Sequence, residues 1–285
     1  MSVWFFVSDL HGHLSKYGKL WQLILSERPA AVLMGGDLLP GGPSTESAKA
    51  GKGFIDSVLV NGFERVKKQL STDYPQVLLI LGNDDLRAEE SAVVQAESLD
   101  LWNYIHFRKV EIGAYSVYGY ACVPPTPFLL KDWERYDVSR FVDPGCISPE
   151  DGWRSFPIRE NEIRHGTIHA DLARLVSDGD LSQSIFLFHA PPHGTALDRA
   201  ALDGRVIDSV PLDVHVGSIA IRRFIMGRQP RVTLHGHIHE SARLTGSWCE
   251  RLGQTWAFSA AHDGAELALI RFDPANPASA TRELI

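Results

Sequence analysis

Cysteine is scarce in this sequence, and long apolar runs are missing. The three cysteines are Cys122, Cys146 and Cys249, an odd number with no CxxC pair. This argues against a disulfide framework and against a zinc site built on thiolates. The longest apolar runs, such as Val77–Leu81 and Ile185–Phe188, are strand-sized and far below the ~20 residues that span a bilayer. We therefore expect a protein without disulfides and without a membrane partner.

No secretion signal is expected, and basic residues are not in excess. The first apolar run, Val3–Val7, follows no basic segment and is shorter than the ~7–15 residues of a signal-peptide core. We therefore expect a soluble, cytoplasmic protein. With 28 Lys and Arg against 35 Asp and Glu, the net charge is −7. Such a chain is poorly suited to wrapping a long nucleic acid, but bound cations can locally reverse the field and admit a small phosphate-bearing substrate.

The composition that is present, 44% hydrophobic and 22% charged residues, is typical of a globular enzyme. Three buried-type strands are predicted at Val3–Val7, Ala31–Met34 and Val77–Leu81. They are separated by two predicted helices, Leu14–Glu27 and Phe54–Leu70, in which apolar residues recur with the period of a helix. This alternation favours an α/β fold with parallel strands and crossover helices.

The rest of the chain is less regular. The segment 123–157 is rich in proline, aspartate and aromatic residues and shows no clear period. We interpret it as an ordered insertion in a single domain spanning residues 1–285. The Gly/Ser-rich segment Gly41–Gly53 is predicted to be a mobile loop. Further predicted elements are a hairpin (Ile105–Ile112 with Tyr115–Tyr120), helices at Glu160–Ser177 and Ser218–Met226, strands at Ile185–Phe188 and Val232–Leu234, and closing antiparallel strands at Thr255–Phe258 and Glu266–Arg271.

The most informative feature is the set of polar residues directly after the predicted strands. Five strands each run directly into aspartate, asparagine or histidine. Because ligand sites of parallel α/β sheets form at the carboxyl ends of the strands, these side chains can converge on one place. The five segments are Asp9-Leu10-His11, Gly36-Asp37, Gly82-Asn83-Asp84-Asp85, His189 and Gly236-His237-Ile238-His239.

These residue types together suit divalent transition metals such as Mn, Fe or Zn. Asp9 and His11 are two residues apart and point the same way on an extended strand end. A central carboxylate, Asp37, can bridge two metals ~3.5–4 Å apart, an arrangement used for in-line displacement at phosphorus. Each segment alone also fits a turn or a helix cap, but five in this order favour one metal site.

These five segments resemble the motifs of the calcineurin-like metallophosphoesterases, which run D-x-H, G-D, G-N-H-D/E, H and G-H-x-H. The resemblance extends from Val3 to His239. It implies a four-layer αββα sandwich with two mixed β-sheets. It also implies two metal sites that share Asp37. The first would be held by Asp9, His11, Asp37 and His239, and the second by Asp37, Asn83, His189 and His237.

The third motif departs from the family pattern. Where the family usually has a histidine that contacts the phosphate and helps the leaving group depart, this chain has Asp84. Asp85 matches the acidic position that orients that histidine, so its role is open. Some members without the histidine are similar to phosphodiesterases rather than to general phosphatases. His193 and His13 are candidates to assist the leaving group, although a loop histidine and a helix cap explain them equally well.

We therefore expect a hydrolase, in particular a phosphodiesterase, that attacks phosphate esters with a hydroxide bridging two divalent metals. Asn83 would place a phosphate oxygen, and Asp84 would sit beside the phosphate. Manganese is the expected metal, with iron, zinc or nickel as alternatives. The expected partner is a small phosphate ester, with a nucleotide-like one among the candidates. The alternatives are a phosphomonoesterase, including a protein phosphatase, and a non-catalytic metal-binding scaffold.

The aromatic residues of the insertion allow two interpretations. They can line the mouth of the site and set substrate choice, or they can form a small core of their own. We expect the first, because the insertion lies between the third and fourth motifs. On that interpretation, Trp133 and Trp153 would influence substrate preference more than stability.

Overall fold

Two six-stranded mixed sheets form the centre of the protein in a computed structural model that describes residues 2–41, 53–176 and 178–285. Sheet A has the order β14-β13-β1-β2-β3-β4, and sheet B the order β11-β12-β10-β7-β6-β5. The strands of sheet A are β1 (Trp4–Val7), β2 (Ala31–Gly35), β3 (Gln76–Ile80), β4 (Asn103–Tyr104), β13 (Ala268–Asp273) and β14 (Asn276–Leu284). Those of sheet B are β5 (Lys109–Ile112), β6 (Tyr115–Tyr120), β7 (Ser184–Phe188), β10 (Val232–His235), β11 (Cys249–Leu252) and β12 (Thr255–Ser259). A separate ribbon pairs β8 (Val206–Ile207) with β9 (Val210–Pro211).

Each sheet has a parallel centre and antiparallel edges. In sheet A, β1 to β4 are parallel, whereas β13 is antiparallel to β1 and β14 to β13. In sheet B, β6, β7, β10 and β12 are parallel, with β5 and β11 antiparallel at the edges. The parallel strands β1, β2, β7 and β10 are buried along their whole length. β1 and β2 are continuous apolar runs, as is typical of parallel strands covered on both faces.

Helices cover the outer faces of the two sheets. Trp21 of the first helix packs on Phe63 of the second, with ring centroids 6.2 Å apart. Phe224 packs on Phe186 of β7 at 4.9 Å. The sheets themselves meet where β2 contacts β7 and β3 contacts β6. The predicted four-layer sandwich is confirmed. The helices are α1 (Leu14–Glu27), α2 (Asn61–Leu70), α3 (Glu90–Gln95), α4 (Glu160–His165), α5 (Ile168–Leu175), α6 (Ile219–Arg228) and α7 (Ser241–Thr245), with a π-helical turn (Ile55–Val60) before α2.

One predicted helix differs from the structure. The helix predicted over Glu160–Ser177 is two helices, α4 and α5, with Ser177 outside the described residues. The break comes at Gly166, which is extended, and at Thr167, whose hydroxyl accepts the N–H of Ala170 and caps α5. Glycine is a poor helix former and threonine a good N-cap, so the local sequence favours the break.

The C-terminal strands were only partly predicted. β12 and β13 do form, but in different sheets, and β12 is parallel to β10. The edge strand β14 was missed. It contains Pro277, and a proline is tolerated in a strand only where its missing N–H faces no partner, as at an edge. The predicted loop Gly41–Gly53 lies, apart from its two end residues, outside the described residues.

The insertion 123–157 packs beneath the loop after β3. It begins where β6 ends and contains no strand or helix, apart from isolated bridges such as Leu130 to Trp153. Trp133 is fully buried, and its indole N–H donates to the backbone oxygen of Asp85 at 2.7 Å. The expectation that Trp133 walls a substrate pocket is therefore wrong: the side chain has no exposed surface with which to touch a substrate.

We expect Trp133→Ala to lower the free energy of unfolding by about 3–5 kcal/mol, because it leaves a large cavity and an unpaired backbone oxygen. Phe156→Ala is the matched control, since Phe156 belongs to the same insertion but is 51% exposed. It should change stability by less than about 0.5 kcal/mol. Urea denaturation of both variants measures this, and equal losses would contradict the assigned packing of Trp133.

Candidate metal centre

The carboxyl ends of strands from both sheets meet at one edge of the sandwich. Asp9 and His11 follow β1, Asp37 follows β2, and Asn83 follows β3 in sheet A. In sheet B, His189 follows β7, and His237 and His239 follow β10. Because β2 packs on β7, the two sets of strand ends face each other. The structure thus brings all seven sequence-predicted ligand residues to the same edge.

The first group contains Asp9, His11, Asp37 and His239, whose potential ligand atoms all lie within 4.8 Å of one another. His11 Nε2 lies 3.1 Å from His239 Nε2. His239 Nε2 in turn lies 3.2 Å from Asp9 Oδ1. Two imidazoles and two carboxylates therefore converge on a single point, as a divalent cation requires.

The second group contains Asp37, His189 and His237, again within 4.8 Å of one another. His189 Nε2 lies 3.2 Å from Asp37 Oδ2 and 3.0 Å from Asn83 Oδ1. Asp37 therefore belongs to both groups, and the amide oxygen of Asn83 adjoins the second. This cluster of aspartate and histidine can bind metal.

Unpartnered acceptors in the cluster fit a cation. Asp9 Oδ2 is buried and has no hydrogen-bond partner in the described part of the chain. His189 Nδ1 lies 2.8 Å from the backbone oxygen of Gly35, to which it donates. In the neutral ring the Nε2 lone pair then faces the two oxygens of Asp37 and Asn83. A histidine held by a backbone carbonyl in this way is typical of metal sites.

The charges of the cluster are strongly coupled. Burial opposes protonation of His189, but the Asp37 carboxylate outweighs it and raises the pKa of His189 to about 10. Burial opposes ionisation of Asp9, yet the hydrogen bond from His239 holds the pKa of Asp9 well below its ordinary value. Burial, reinforced by the charge of His189, lowers the pKa of His237 to about 3. Without a cation, the carboxylates are thus ionised, His237 is neutral and His189 is protonated. A cation bound at His189 Nε2 would displace that proton, which makes cation binding depend on pH.

The backbone is strained where these side chains leave the strands. Four of the seven residues are non-glycine residues with positive φ: Asp9 at 58°, His11 at 45°, Asp37 at 52° and His237 at 73°. Each such conformation costs free energy and persists only where the surrounding structure enforces it, commonly at functional sites. The strand ends are therefore shaped to aim side chains at the cluster.

Two glycines permit the close approach of the loops. A Cβ on Gly236 would lie 2.1 Å from Ser8 Oγ and 2.6 Å from Asp9 Oδ2. A Cβ on Gly82 would lie 2.3 Å from Asp37 Oδ1. Any side chain at these positions would displace a carboxylate of the cluster.

Asp84 lies beside the first group. Its backbone N–H donates to Asp37 Oδ1 at 2.8 Å, and its carboxylate accepts from Asn83 Nδ2 at 3.0 Å. Asp84 Oδ2 lies 3.7 Å from His11 Nδ1. Burial, followed by the negative charge of Asp37, raises the pKa of Asp84 to about 6. Cations bound in the cluster would oppose this shift, since they favour the ionised form.

Asp85 is structural. It is fully buried, and its two oxygens accept the backbone N–H groups of Leu38, Leu39 and Gly82 at 3.1, 2.7 and 2.9 Å. Burial and the charge of Asp37 raise the pKa of Asp85 to about 8, against these three donors. With no histidine at position 84 to orient, Asp85 instead ties the loop after β2 to the loop after β3.

The two histidines proposed to assist the leaving group belong to the loops that follow β1 and β7. His13 is exposed at the start of α1, and its side chain does not cap the helix. His193 Nε2 lies 3.2 Å from Asp213 Oδ2. Neither has a hydrogen bond to the seven residues among the described contacts. His235, which precedes the last motif, is buried and bonds to the Ala190 oxygen and to Thr233 Oγ1.

One buried group of this edge escaped the sequence analysis. Asp198, in the loop between β7 and α6, is fully buried and accepts from Gly194 N, Thr195 N and Gly217 N. It also contacts His215 Nδ1 at 2.8 Å. Its partners are up to 19 residues away in sequence, and the only local signal is a turn-forming Gly194-Thr195 pair before it.

The chain belongs to the calcineurin-like phosphoesterases: the sequence model of that family matches residues 4–241. It is accordingly a metal-dependent phosphoesterase, a hydrolase of phosphate esters. No curated protein matches it in sequence. Among the residues that the structure describes, no helix is long and apolar enough to cross a membrane.

Two solved structures show the same fold. One crystal structure has a TM-score of 0.61 at 14% identity, with 99% of this chain and 98% of the other aligned. The crystal structure of TT1561 from Thermus thermophilus has a TM-score of 0.55 at 16% identity, again with 99% and 98% aligned. The fold expected from the motifs is confirmed.

We expect Gly236→Ala to weaken binding of divalent cations by about 10–100-fold, the cost typical of disturbing the groups that orient metal ligands. The added methyl group must push Asp9 Oδ2 out of the cluster. Gly18→Ala, in α1, is the control, because a Cβ there meets nothing within 4 Å. It should leave metal binding unchanged and raise stability by about 0.5–1 kcal/mol. Calorimetric titration with Mn²⁺ compares the two, and equal affinities would contradict the close packing at Gly236.

Proposed function

We propose that this phosphoesterase is a phosphodiesterase with two divalent cations, the first held by Asp9, His11, Asp37 and His239. The second is held by Asp37, Asn83, His189 and His237. The observation that carries the two-cation proposal is the membership of Asp37 in both ligand groups. Manganese is the proposed metal, with iron, zinc or nickel accepted by the same oxygen and nitrogen donors.

The cations supply two things when bound: charge neutralisation at the phosphate oxygens, and a lowered pKa, toward ~7, for coordinated water. The residues of the chain supply the positioning. Asn83 places its amide oxygen at the second group and its amide nitrogen toward Asp84, where that nitrogen can donate to a phosphate oxygen. No serine or cysteine nucleophile is needed, so we propose direct hydrolysis without a covalent intermediate.

Asp84 supports a diester substrate. A monoester carries nearly two negative charges at neutral pH, by analogy with the second phosphate pKa of ~6, and a diester carries one. A carboxylate beside the bound phosphate repels the monoester more strongly. The position also has no proton-donating imidazole, which a poor leaving group would need. We therefore propose a small diester, with nucleotide-like diesters among the candidates, in the cytoplasm.

Exchange of the shared carboxylate tests the two-cation site. We expect Asp37→Asn to lower bound metal below one ion per chain and activity by at least about 100-fold, the upper end of what altered ligand support costs. Asp56→Asn, an exposed aspartate, is the control and should retain both. Metal analysis and hydrolysis of bis(4-nitrophenyl) phosphate with Mn²⁺ provide the measurements. Wild-type protein with neither bound metal nor Mn²⁺-stimulated activity would refute the proposal.

Two substitutions at position 84 test the substrate class. Asp84→Asn removes the charge, and Asp84→His also adds a proton donor. We expect the ratio of monoesterase to diesterase kcat/KM to rise in both variants, because both remove the negative charge that repels the doubly charged monoester. Aryl monoester and diester substrates give the ratio. An unchanged ratio in both variants would favour a phosphomonoesterase.

A further inference from the structure

A second group of histidines and aspartates lies in the loop from β7 to α6, which begins at the strand end that carries His189. It consists of His193, Asp198, Asp213 and His215. The two imidazole rings are 6.0 Å apart. Asp213 joins them, because its Oδ2 contacts His193 Nε2 and its Oδ1 accepts the backbone N–H of His215.

The loop doubles back along the chain that leaves β7. Ser218 N donates to Pro191 O at 2.8 Å, and His193 N donates to Ser218 O at 3.0 Å. His215 is thus anchored beside the short segment that starts at His189. Farther along the loop, Ala201 N donates to Glu240 Oε1, next to His239. The loop therefore spans the rim between the ends of β7 and β10.

His215 is the more firmly oriented of the two histidines. Its Nδ1 contacts Asp198 at 2.8 Å, and that carboxylate is completely buried and fixed by three backbone N–H donors. In the described part of the chain, Nε2 of His215 has no partner, and about a third of the side chain is exposed. The partner of His193, by contrast, is Asp213, whose side chain is 54% exposed. An exposed ion pair of this kind is weak, so it fixes the orientation of the His193 ring only weakly.

A buried carboxylate on Nδ1 does two things to an imidazole. It selects the tautomer with the proton on Nδ1, and it stabilises the ring when Nε2 also carries a proton. When protonated, Nε2 is then a hydrogen-bond donor that points away from the carboxylate on Nδ1. Histidine is the side chain used most often for proton transfer to a reacting group.

We propose that His215, positioned by Asp198, protonates the leaving oxygen during diester hydrolysis. No other residue is assigned to this step, because position 84 carries an aspartate in place of a histidine. The inference rests on the proposed diesterase function. In the step, an oxygen from water bonds to phosphorus and the bond from phosphorus to the leaving oxygen breaks. The leaving oxygen takes the proton from His215 Nε2, and the proton released by the water returns to the ring through solvent.

The test compares leaving groups on the same enzyme. Bis(4-nitrophenyl) phosphate releases a stable phenolate, which needs no proton, whereas dithymidine phosphate releases an alkoxide, which does. We expect His215→Ala to lower kcat/KM for dithymidine phosphate by about 100-fold or more, and for the nitrophenyl diester by less than about threefold. Added imidazole should restore cleavage of dithymidine phosphate. A merely structural histidine would affect both substrates alike and would not be rescued.

Three further variants complete the experiment. His169→Ala changes an exposed histidine on α5 and should alter neither rate. Asp198→Asn should reproduce the selective loss and shift the pH profile for dithymidine phosphate, with folding checked by circular dichroism. His193→Ala should lack the selective loss, and a selective loss there instead of at His215 would overturn the inference.

Two results separate this inference from the proposed function. Wild-type enzyme that cleaves only the nitrophenyl diester, or equal losses on both diesters in His215→Ala, would overturn the role of His215 alone. Wild-type enzyme that cleaves neither diester with Mn²⁺ would refute the diesterase itself. Metal content of His215→Ala should equal that of wild type, because the ring is outside both ligand groups.

Discussion

The buried carboxylate of Asp37 is the group on which the rest of the site depends. Both ligand groups include it, and the neighbouring loop donates a backbone N–H to it from Asp84. A buried carboxylate is costly unless positive charge and hydrogen bonds surround it. Two features bring those partners close. The backbone of Asp37 is strained, and Gly82 has no side chain where it packs against the Asp37 carboxylate.

A second layer holds this arrangement in place. Asp85 fixes the loop after β2, while the indole of Trp133 donates to the backbone oxygen of Asp85. The insertion thus supports the third motif through Trp133. A change in the insertion can consequently reach Asp37 through packing and hydrogen bonds, without any contact with the substrate.

In the proposed reaction, the metal ligands and the proton donor belong to separate parts of the structure, because position 84 carries no histidine. The ligand groups lie where the two sheets meet, whereas Asp198 and His215 belong to a loop that returns beside the end of β7. A loop on a rigid sheet edge can place a proton donor without altering the metal ligands. This is the usual way in which one fold accommodates different substrates.

The sequence by itself determined the parallel strand centres, the helix Leu14–Glu27 and the place of every motif at a strand end, because apolar period and strand-end position are local properties. It also determined the family, through five spaced motifs. Only the tertiary structure decided that Trp133 is buried, that β12 runs parallel to β10, and that Asp198 orients His215. These features depend on contacts between segments far apart in the chain. Residue type and periodicity are local properties and do not predict such contacts.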